Sequence, residues 1–560
     1  MENKTIARTL RLLSQLMELH EENPFKIKSI ANAYFKVDKL PFALKDKPIE
    51  DIDKIDGIGK GLAAKIIELL QTGSLKELND IVQQTPAGII EMLGIKGIGP
   101  KKILIIWRDL NIESIGELYY ACNENRLIEA KGFGLKTQEE IKKAIEFKLA
   151  ANGRFLYAQV EGFANSLFDE ISKWIIKIDN QSCLGFAGQY RRYCEIIDEL
   201  EFVIGTEHPE KVILQLPEFE LLSLIEGEDA FIATTDTGLR IKILVVEKAN
   251  FYLEQFKLTG NTEHVEKVLK LAGNGPFADE NDIYSKAGLA FIEPELREDF
   301  DEIELAKNNN LPKLITYEDL KGSLHNHSTW SDGVHPLEQM AVYCKEILNM
   351  QYLGICDHSK TAVYAKGLNE QRVYGQHQEI DELNKKLAPF KIFKGIESDI
   401  LSDGSLDYSD DILKTFDFVV ASVHSNLRMD EAKATTRLLK AIENPYTTIL
   451  GHPTGRLLLS RAGYPIDYKK IIDACAANKV VIEINANPLR LDLDWRWHRY
   501  ALEKGVLLSV NPDAHRTEGF HDMKYGVLVA RKGGLSANKC LNAFSLAEIT
   551  AYFDNRLKAI

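Results

Sequence analysis

The sequence has few cysteines, and none of them lies close to another. Its seven cysteines among 560 residues form no C-x-x-C motif, which argues against a disulfide framework and for a reducing compartment. The chain also lacks an uncharged apolar run of 18 residues, so no transmembrane helix is predicted. No secretory leader pattern opens the sequence, and we therefore expect a cytoplasmic protein without a membrane partner.

Basic charge is also scarce, with 69 lysines and arginines against 83 acidic residues and a net charge of -14. Indiscriminate adhesion to nucleic acid needs clustered Lys and Arg that displace counterions, so this composition argues against it. DNA binding through backbone amides and local basic patches stays open. The length predicts three to five structural units, because single cores rarely grow past about 250 to 300 residues.

In the C-terminal part of the chain, short apolar runs end in a histidine or a carboxylate. Examples are YLGICDH, FKIFKGIE, FDFVVASVH and TTILGH. Such runs, separated by helical segments, are typical of buried parallel strands. In a barrel of parallel strands, residues just past the C-terminal strand ends converge on one face. The sequence therefore predicts that nine side chains meet: His325, His327, Asp332, His358, Glu397, His424, His452, Asp513 and His515.

The donor types in this set predict a metal cluster. Imidazole nitrogen and carboxylate oxygen without thiolate suit Mn, Zn or Fe, and nine donors are too many for one ion. A single histidine at such a position is more often an ordinary polar residue, but six of the 13 histidines belong to the set. His325 and His327 form an H-x-H pair, which directs both imidazoles to the same side of an extended segment. We expect two or three divalent ions.

The motifs HNHSTWSDG, ICDHS, GIESDI, ASVHS, GHPTGR and NPDAH resemble the successive motifs of the PHP (polymerase and histidinol phosphatase) superfamily. The resemblance extends from about residue 320 to the C-terminus. It implies a distorted barrel of seven βα units with a trinuclear metal site that hydrolyses phosphate esters. It also implies that five of the ligands would share the inner ions and act in catalysis: His325, His327, Glu397, His424 and Asp513.

Two basic residues beyond predicted strand ends are candidates to bind substrate phosphate. They are Lys360 in DHSK and Arg456 in GHPTGR, and a guanidinium or ammonium there suits a phosphate oxygen. Each is equally well explained as a surface ion-pair residue.

A glycine pair of the form G-x-G occurs three times near the N-terminus. One pair is more often only a tight turn, but each copy is followed by an amphipathic helix. Three copies favour helix-hairpin-helix motifs, whose glycines let backbone amides approach a DNA phosphate without reading sequence. The pairs are Gly57 and Gly59, Gly97 and Gly99, and Gly132 and Gly134.

The segment NPFKIKSIANAY resembles the start of the lyase domain in family X DNA polymerases, the polymerase beta type, in their bacterial form fused to a PHP domain. In relatives, a lysine on the AAKI helix forms a Schiff base with an abasic sugar, and Lys65 occupies the matching position. A lysine on a helix is usually only solvated, so lyase chemistry at Lys65 stays an open alternative.

The palm resembles that family with its metal-binding acids replaced. Family members carry a Ser-aromatic-Arg-Arg phosphate grip, an Asp-x-Asp pair and a third Asp, which together hold two Mg ions. Here Arg192 is kept, but Gln189 replaces the serine, Glu199 and Glu201 replace the pair, and Lys242 replaces the third Asp. Each Glu moves its carboxylate by about 1.5 Å, and Lys242 reverses a charge. The departures imply a retained fold without Mg binding or polymerase activity.

Together the resemblances imply a multidomain protein with three kinds of fold. These are an α-helical helix-hairpin-helix region, an α+β nucleotidyltransferase-like palm and thumb, and a distorted (β/α)7 PHP barrel. The expected boundaries are 1–85 for a lyase-like domain with the first hairpin, 86–150 for a DNA-binding hairpin subdomain, 151–248 for the palm, 249–315 for the thumb and linker, and 316–560 for the PHP domain.

The leading hypothesis for function is a metal-dependent phosphodiesterase of the 3′-5′ exonuclease type that acts on gapped, nicked or 3′-ended DNA in repair. Three alternatives stay open: an active gap-filling DNA polymerase, a small-molecule phosphatase of the histidinol-phosphate kind, and a non-catalytic DNA-end-binding scaffold. The sequence indicates no protein partner.

Overall fold

The computed structural model describes residues 1–95, 97–128, 130–150, 153–219, 221–227 and 230–560. The chain divides into two units, Met1–Lys148 and Leu149–Ile560. Within the described residues, no helix combines the length and the apolar character needed to cross a membrane.

The N-terminal unit is built from helices joined by short turns. They are α1 (Asn3–Leu19), α2 (Pro24–Asp38), α3 (Lys60–Thr72), α4 (Lys76–Gln84), α5 (Ala87–Met92), α6 (Pro100–Arg108), α7 (Ile115–Asn123) and α8 (Leu135–Ala150). Leu10, Leu13 and Met17 recur at helical spacing on α1 and are completely buried. This face of α1 joins the core formed with α2 and α3, as expected for an amphipathic helix.

The second unit begins with a mixed sheet, the palm. Its strands and helices are β1 (Phe155–Leu156), α9 (Tyr157–Ile178), β2 (Cys183–Ala187), α10 (Gly188–Arg191), β3 (Ile196–Ile197), β4 (Glu199–Thr206), α11 (Pro209–Gln215), β5 (Ile225–Glu226), β6 (Phe231–Thr234) and β7 (Arg240–Glu247). The five-stranded sheet has the order β2-β4-β7-β6-β5. The parallel pair β4 and β7 places Glu201 opposite Lys242 and Glu199 opposite Arg240.

A helical segment connects the palm to the barrel. It contains α12 (Phe251–Thr259), α13 (Thr262–Ala272), α14 (Glu280–Lys286) and α15 (Glu302–Lys307). Its completely buried Arg297 lies 2.8 Å from Glu280, and the same carboxylate accepts hydrogen bonds from Arg191 of the palm. A buried charge is tolerated only when it is paired in this way.

The rest of the unit is a nearly closed barrel of seven parallel strands. In chain order its elements are β8 (Gly322–Ser323), α16 (Leu337–Val342), β9 (Tyr352–Ile355), α17 (Glu370–Leu387), β10 (Lys391–Asp399), α18 (Asp410–Leu413), β11 (Phe418–Ser422), α19 (Glu431–Ile442), β12 (Ile449–Leu450), α20 (Tyr468–Asn478), β13 (Val481–Asn485), α21 (His498–Glu503), β14 (Leu508–Asn511), α22 (Met523–Lys532) and α23 (Leu546–Lys558). Strands pair in chain order from β8 to β14. A parallel bridge between Asn326 and Ala514 joins the segments that follow the two outermost strands.

The barrel confirms the predicted seven-stranded architecture, although one of its strands was not located in the sequence. Sequence analysis identified six apolar runs as strands, and all six pair in parallel. The seventh strand, Val481–Asn485, was not recognised, because Glu483 and Asn485 interrupt its apolar run VVIEIN. Both polar residues are nevertheless completely buried.

The palm and the barrel share buried polar contacts. Glu195 of the palm accepts hydrogen bonds from Trp495 Nε1 at 3.1 Å and from Arg496 Nη1 at 3.0 Å. Lys532 at the end of α22 donates to the backbone oxygen of Arg192 at 3.2 Å. Charged groups that are mutually satisfied in a buried interface fix the orientation of the two parts.

Candidate metal centre and the degenerate palm site

The barrel brings the nine predicted side chains to one end of its strands. His325, His327 and Asp332 follow β8, His358 follows β9, and Glu397 lies near the end of β10. His424 follows β11, His452 follows β12, and Asp513 and His515 follow β14. Eight of the nine form three groups whose donor atoms lie within 4.8 Å of one another. The groups are His327, Asp332, His358 and His515; His325, His327 and Asp513; and His358, Glu397 and His424.

Glu397 lies at the centre of this arrangement. Its carboxylate is 1% exposed and meets the ring nitrogens of five histidines on other strand ends. The distances are 3.3 Å to His325, 3.7 Å to His327, 3.0 Å to His358, 3.1 Å to His424 and 3.0 Å to His452. His452, which belongs to none of the three groups, therefore still borders the site.

The two aspartates border opposite sides of His327. Asp513 lies 3.0 Å from His327 Nε2, and Asp332 Oδ1 lies 3.9 Å from His327 Nδ1. Asp332 also approaches His358 at 3.5 Å and His515 at 3.4 Å. The resemblance also implies that Asp332, His358, His452 and His515 complete the shells of the inner ions, and this division stays a prediction.

In the part of the chain that the structure describes, several buried nitrogen and oxygen atoms of the ligand side chains make no hydrogen bond. Six buried atoms make no hydrogen bond of acceptable geometry within the described structure: His325 Nε2, His327 Nδ1, Asp332 Oδ2, His358 Nδ1, Glu397 Oε2 and His452 Nδ1. Buried polar atoms are almost always satisfied. Even the 3.0 Å contact between His358 Nδ1 and Glu397 Oε2 is not aligned as a hydrogen bond. Imidazole and carboxylate donors that converge in this way fit divalent metal ions.

The electrostatics agree with this fit. Burial would raise the pKa of Glu397, but the imidazoles of His424, His325 and His358 hold that pKa well below its usual range. Burial, together with His515 and His358, lowers the pKa of His327 to about 3. Burial would lower the pKa values of His325, His358 and His424, but the neighbouring carboxylates raise these pKa values well above the usual range. Metal is bound by ionised carboxylates and neutral imidazoles, so a bound ion would take the place of the protons on these three rings.

The palm acids have cationic partners instead. The Glu201 carboxylate lies 3.3 Å from the Lys242 ammonium, and Glu199 lies 2.6 Å from the Arg240 guanidinium. Glu201 also packs over Gly188, where a Cβ atom would fall 1.8 Å from the carboxylate oxygen. The space beside this backbone is therefore filled by the protein itself.

The remaining palm residues are engaged within the fold. Gln189 exchanges two hydrogen bonds with Asp198, at 3.0 and 2.7 Å. Arg192 donates to Glu298 at 2.9 Å and to the backbone oxygen of Thr259 at 2.5 Å. The arginine expected in a phosphate grip is thus held by an internal carboxylate.

Comparison with known proteins identifies the family of this chain. It is 34% identical to the DNA polymerase/3′-5′ exonuclease PolX of Bacillus subtilis (strain 168), over 99% of both chains. The chain belongs to the family X DNA polymerases that carry a PHP domain. It is also 29% identical over 188 residues to a probable phosphatase of Thermoanaerobacter sp. (strain X514), which covers 32% of this chain and 74% of that protein. A probable phosphatase of Caldanaerobacter subterraneus is 35% identical over 141 residues, covering 23% of this chain and 53% of that protein.

The N-terminal unit of this family X protein carries the expected hairpins. A helix-hairpin-helix domain matches residues 1–75, and a SAM-like helix-hairpin-helix tandem matches residues 89–146. The first glycine of each pair has a positive φ, of 80°, 96° and 85° for Gly57, Gly97 and Gly132. A Cβ on the second glycine, Gly59, Gly99 or Gly134, would meet no atom within 4 Å. The backbone is open at each turn, and the matches support DNA binding.

Lys65 on α3 is paired with Glu77 of α4, and Glu77 also lies 2.6 Å from Lys26. The Lys65 amine is thus engaged in an ion pair within the described structure, and lyase chemistry at this residue stays a prediction.

The two predicted phosphate-binding residues of the PHP domain differ in their surroundings. Arg456 lies 2.5 Å from Asp494 and donates to the backbone oxygen of Arg490 at 2.9 Å, so its guanidinium is held within a loop. Lys360 forms a partly exposed pair with Glu370 at 2.9 Å. An exposed pair of this kind contributes little energy, so Lys360 can exchange partners.

Two carboxylates that support the ligands were missed by the sequence analysis. Glu483 on β13 lies 2.7 Å from His325 Nδ1 and accepts the backbone N–H of His452 at 2.8 Å. Asp399 lies 2.5 Å from His424 Nδ1. Carboxylates in these positions orient metal-binding imidazoles. A glutamate inside the apolar run VVIEIN was the signal that could have revealed Glu483.

Proposed function

We propose that this family X protein is a metal-dependent 3′-5′ exonuclease that acts in DNA repair and end processing, with the chemistry in its PHP domain and the polymerase activity lost. The proposal depends on one observation. Three groups of imidazole and carboxylate side chains converge at one end of the barrel, and several of their buried nitrogen and oxygen atoms make no hydrogen bond within the described residues. The name of the Bacillus subtilis relative includes a 3′-5′ exonuclease. In this proposal, the nine predicted ligands hold two or three ions of Mn, Zn or Fe.

In this proposal, the ions, the carboxylates that support the ligands and Lys360 have separate roles. The ions, when bound, supply an activated water at neutral pH and offset charge on the phosphoryl oxygens. Glu483 and Asp399 lie at the Nδ1 atoms of His325 and His424, which directs the Nε2 atoms of both rings toward Glu397. Lys360, at the rim, is free to exchange Glu370 for a substrate phosphate.

DNA binding belongs to the N-terminal hairpins in this proposal. Open backbone at three helix starts contacts phosphates and reads no bases, so gapped, nicked or 3′-ended DNA binds without sequence preference. We retain the five domain boundaries given above as part of the proposal. The expected cytoplasmic location is likewise part of the proposal.

The proposal is tested with a 3′-recessed duplex and Mn. We expect the wild-type protein to shorten the recessed strand from its 3′ end and His325→Ala to lose this activity together with bound metal. His521→Ala is the matched control, because His521 is an exposed histidine of the same domain that contacts Tyr343 at 2.8 Å. Equal loss of activity in the control would overturn the assignment of the site.

A second candidate is favoured by the relatives named as probable phosphatases. A phosphomonoesterase would hydrolyse histidinol phosphate faster than it shortens DNA. The same enzyme preparation distinguishes the two functions. If neither substrate is hydrolysed and His424→Ala only unfolds the domain, a DNA-end-binding scaffold with structural metals is the better account.

A further inference from the structure

A tight turn, residues 361–367, borders the metal centre. It follows His358 and contains one turn of 3₁₀ helix, Val363–Ala365. Leu368 N donates to the backbone oxygen of His358 at 2.8 Å, and a Cβ on Gly367 would fall 1.8 Å from the Ser359 backbone oxygen. The turn is therefore closely packed on the segment that carries a ligand.

The turn is also tied to a second ligand. Thr361 Oγ1 lies 2.9 Å from Asp399 Oδ2, and Asp399 Oδ1 lies 2.5 Å from His424 Nδ1. Thr361 additionally donates its backbone N–H to Asp407 at 2.7 Å. Because both ends are fixed to the ligand shell, the side chains of the turn keep a defined position relative to the site.

Tyr364 places a phenol ring beside one of the ligands. Its ring centroid lies 6.0 Å from that of His358, and the His358 ring in turn lies 5.1 Å from that of His424. The Tyr364 side chain is half-buried, so packing fixes its ring while part of the ring reaches solvent. A hydroxyl beside a metal centre suits a phosphate oxygen as hydrogen-bond acceptor.

Val363 presents an apolar group next to Tyr364. Its side chain is 80% exposed, more than any other large hydrophobic side chain described in residues 316–560. One exposed valine is common on protein surfaces. An exposed valine on a fixed turn at the rim of a metal site, however, is positioned to contact a group that enters the site.

We propose that the turn at residues 361–367 binds the terminal nucleotide, with Tyr364 donating a hydrogen bond to the scissile phosphate and Val363 packing against the terminal base. The inference rests on the proposed exonuclease function and names the side chains of that site that contact the terminal nucleotide.

Tyr364→Phe tests the hydrogen bond, and Tyr374→Phe on the outer helix α17 is the matched control. Two substrates are compared: a single-stranded oligonucleotide and the small diester bis(p-nitrophenyl) phosphate. We expect Tyr364→Phe to lower kcat about tenfold on both substrates, as for a lost hydrogen bond to a charged group, with unchanged bound Mn. Unchanged kcat, or loss of Mn, would overturn this role.

Val363→Ser tests the contact with the base, and Ile347→Ser, a 59% exposed apolar residue of the same domain, is its control. We expect KM for the oligonucleotide to rise about fivefold, while hydrolysis of the small diester stays unchanged. An equal effect on both substrates, or none on either, contradicts the inference.

If wild-type protein hydrolyses neither substrate, the proposed function itself fails. If His325→Ala abolishes hydrolysis while both turn variants match wild type, only the inference fails.

Discussion

The palm and the PHP barrel both bury carboxylates beside strand ends, but they give them opposite partners. In the palm, Glu201 meets the ammonium of Lys242 at 3.3 Å. In the barrel, Glu397 meets five imidazoles. A lysine already supplies the positive charge that a metal ion would bring, whereas a neutral imidazole is itself a metal ligand. In the proposed function, the partner of a carboxylate, more than the carboxylate itself, distinguishes the palm, which has lost its metal site, from the barrel, which holds one.

The pKa values show the same contrast. Burial raises the pKa of Glu201 above its usual range, although Lys242 opposes the shift. The pKa of Glu397 is also subject to burial, yet the surrounding imidazoles hold it well below its usual range. The barrel therefore favours the ionised form of Glu397, whereas burial in the palm disfavours the ionised form of Glu201.

The largest expected effect is loss of a barrel ligand. Glu397→Ala removes the carboxylate that all five imidazoles share, and we expect exonuclease activity to fall on the order of a thousandfold, because several kcal/mol of charge stabilisation disappear. A 3′-recessed duplex with Mn is the assay. Glu201→Ala, which removes a buried palm carboxylate, is the control and should leave exonuclease activity intact. A similar fall in both variants would break the comparison.

The second largest effect is expected when a palm arginine that is paired within the protein is removed. Arg192→Ala removes hydrogen bonds to Glu298 and to the Thr259 backbone oxygen but leaves Glu298 paired with Lys532, so we expect a cost of about 2 to 3 kcal/mol. Urea unfolding measures the free energy. Arg154→Ala removes an exposed partner of Asp198 and should cost no more than about 1 kcal/mol. Equal costs would show that Arg192 is not engaged in the fold.

A supporting carboxylate should matter less than a ligand. Glu483→Gln keeps the shape of the side chain but removes the charge that orients His325, and we expect Mn affinity to fall about 10- to 100-fold. Titration with Mn and measurement of bound metal provide the test. Glu548→Gln, at the start of the peripheral helix α23, should not change the affinity. Unchanged affinity in Glu483→Gln would remove it from the site.

The smallest expected effect is in the palm. Lys242→Asp restores the third acid, but Glu199 and Glu201 keep their extra methylene groups and Arg192 stays bound to Glu298. We expect no primer extension on gapped DNA with Mg and nucleotides. Extension by the wild-type protein, abolished in Glu201→Ala, would show that the palm is an active polymerase.

The structure brings the nine predicted side chains to one end of the barrel, and the sequence could single them out because most of them follow an apolar run directly. That they bind metal stays a prediction. It missed Glu483 because a buried strand is recognised by a continuous run of apolar residues, and Glu483 interrupts that run. It also left the role of Arg456 open. The partner that decides it, Asp494, lies 38 positions away, and only the fold brings the two together.

The most direct test of this contrast is the number of Mn ions bound per chain in wild type, Glu397→Ala and Glu201→Ala. The account predicts two or three ions in wild type, the same number in Glu201→Ala, and loss of bound ions in Glu397→Ala. Loss of an ion in Glu201→Ala, or full retention in Glu397→Ala, would contradict it.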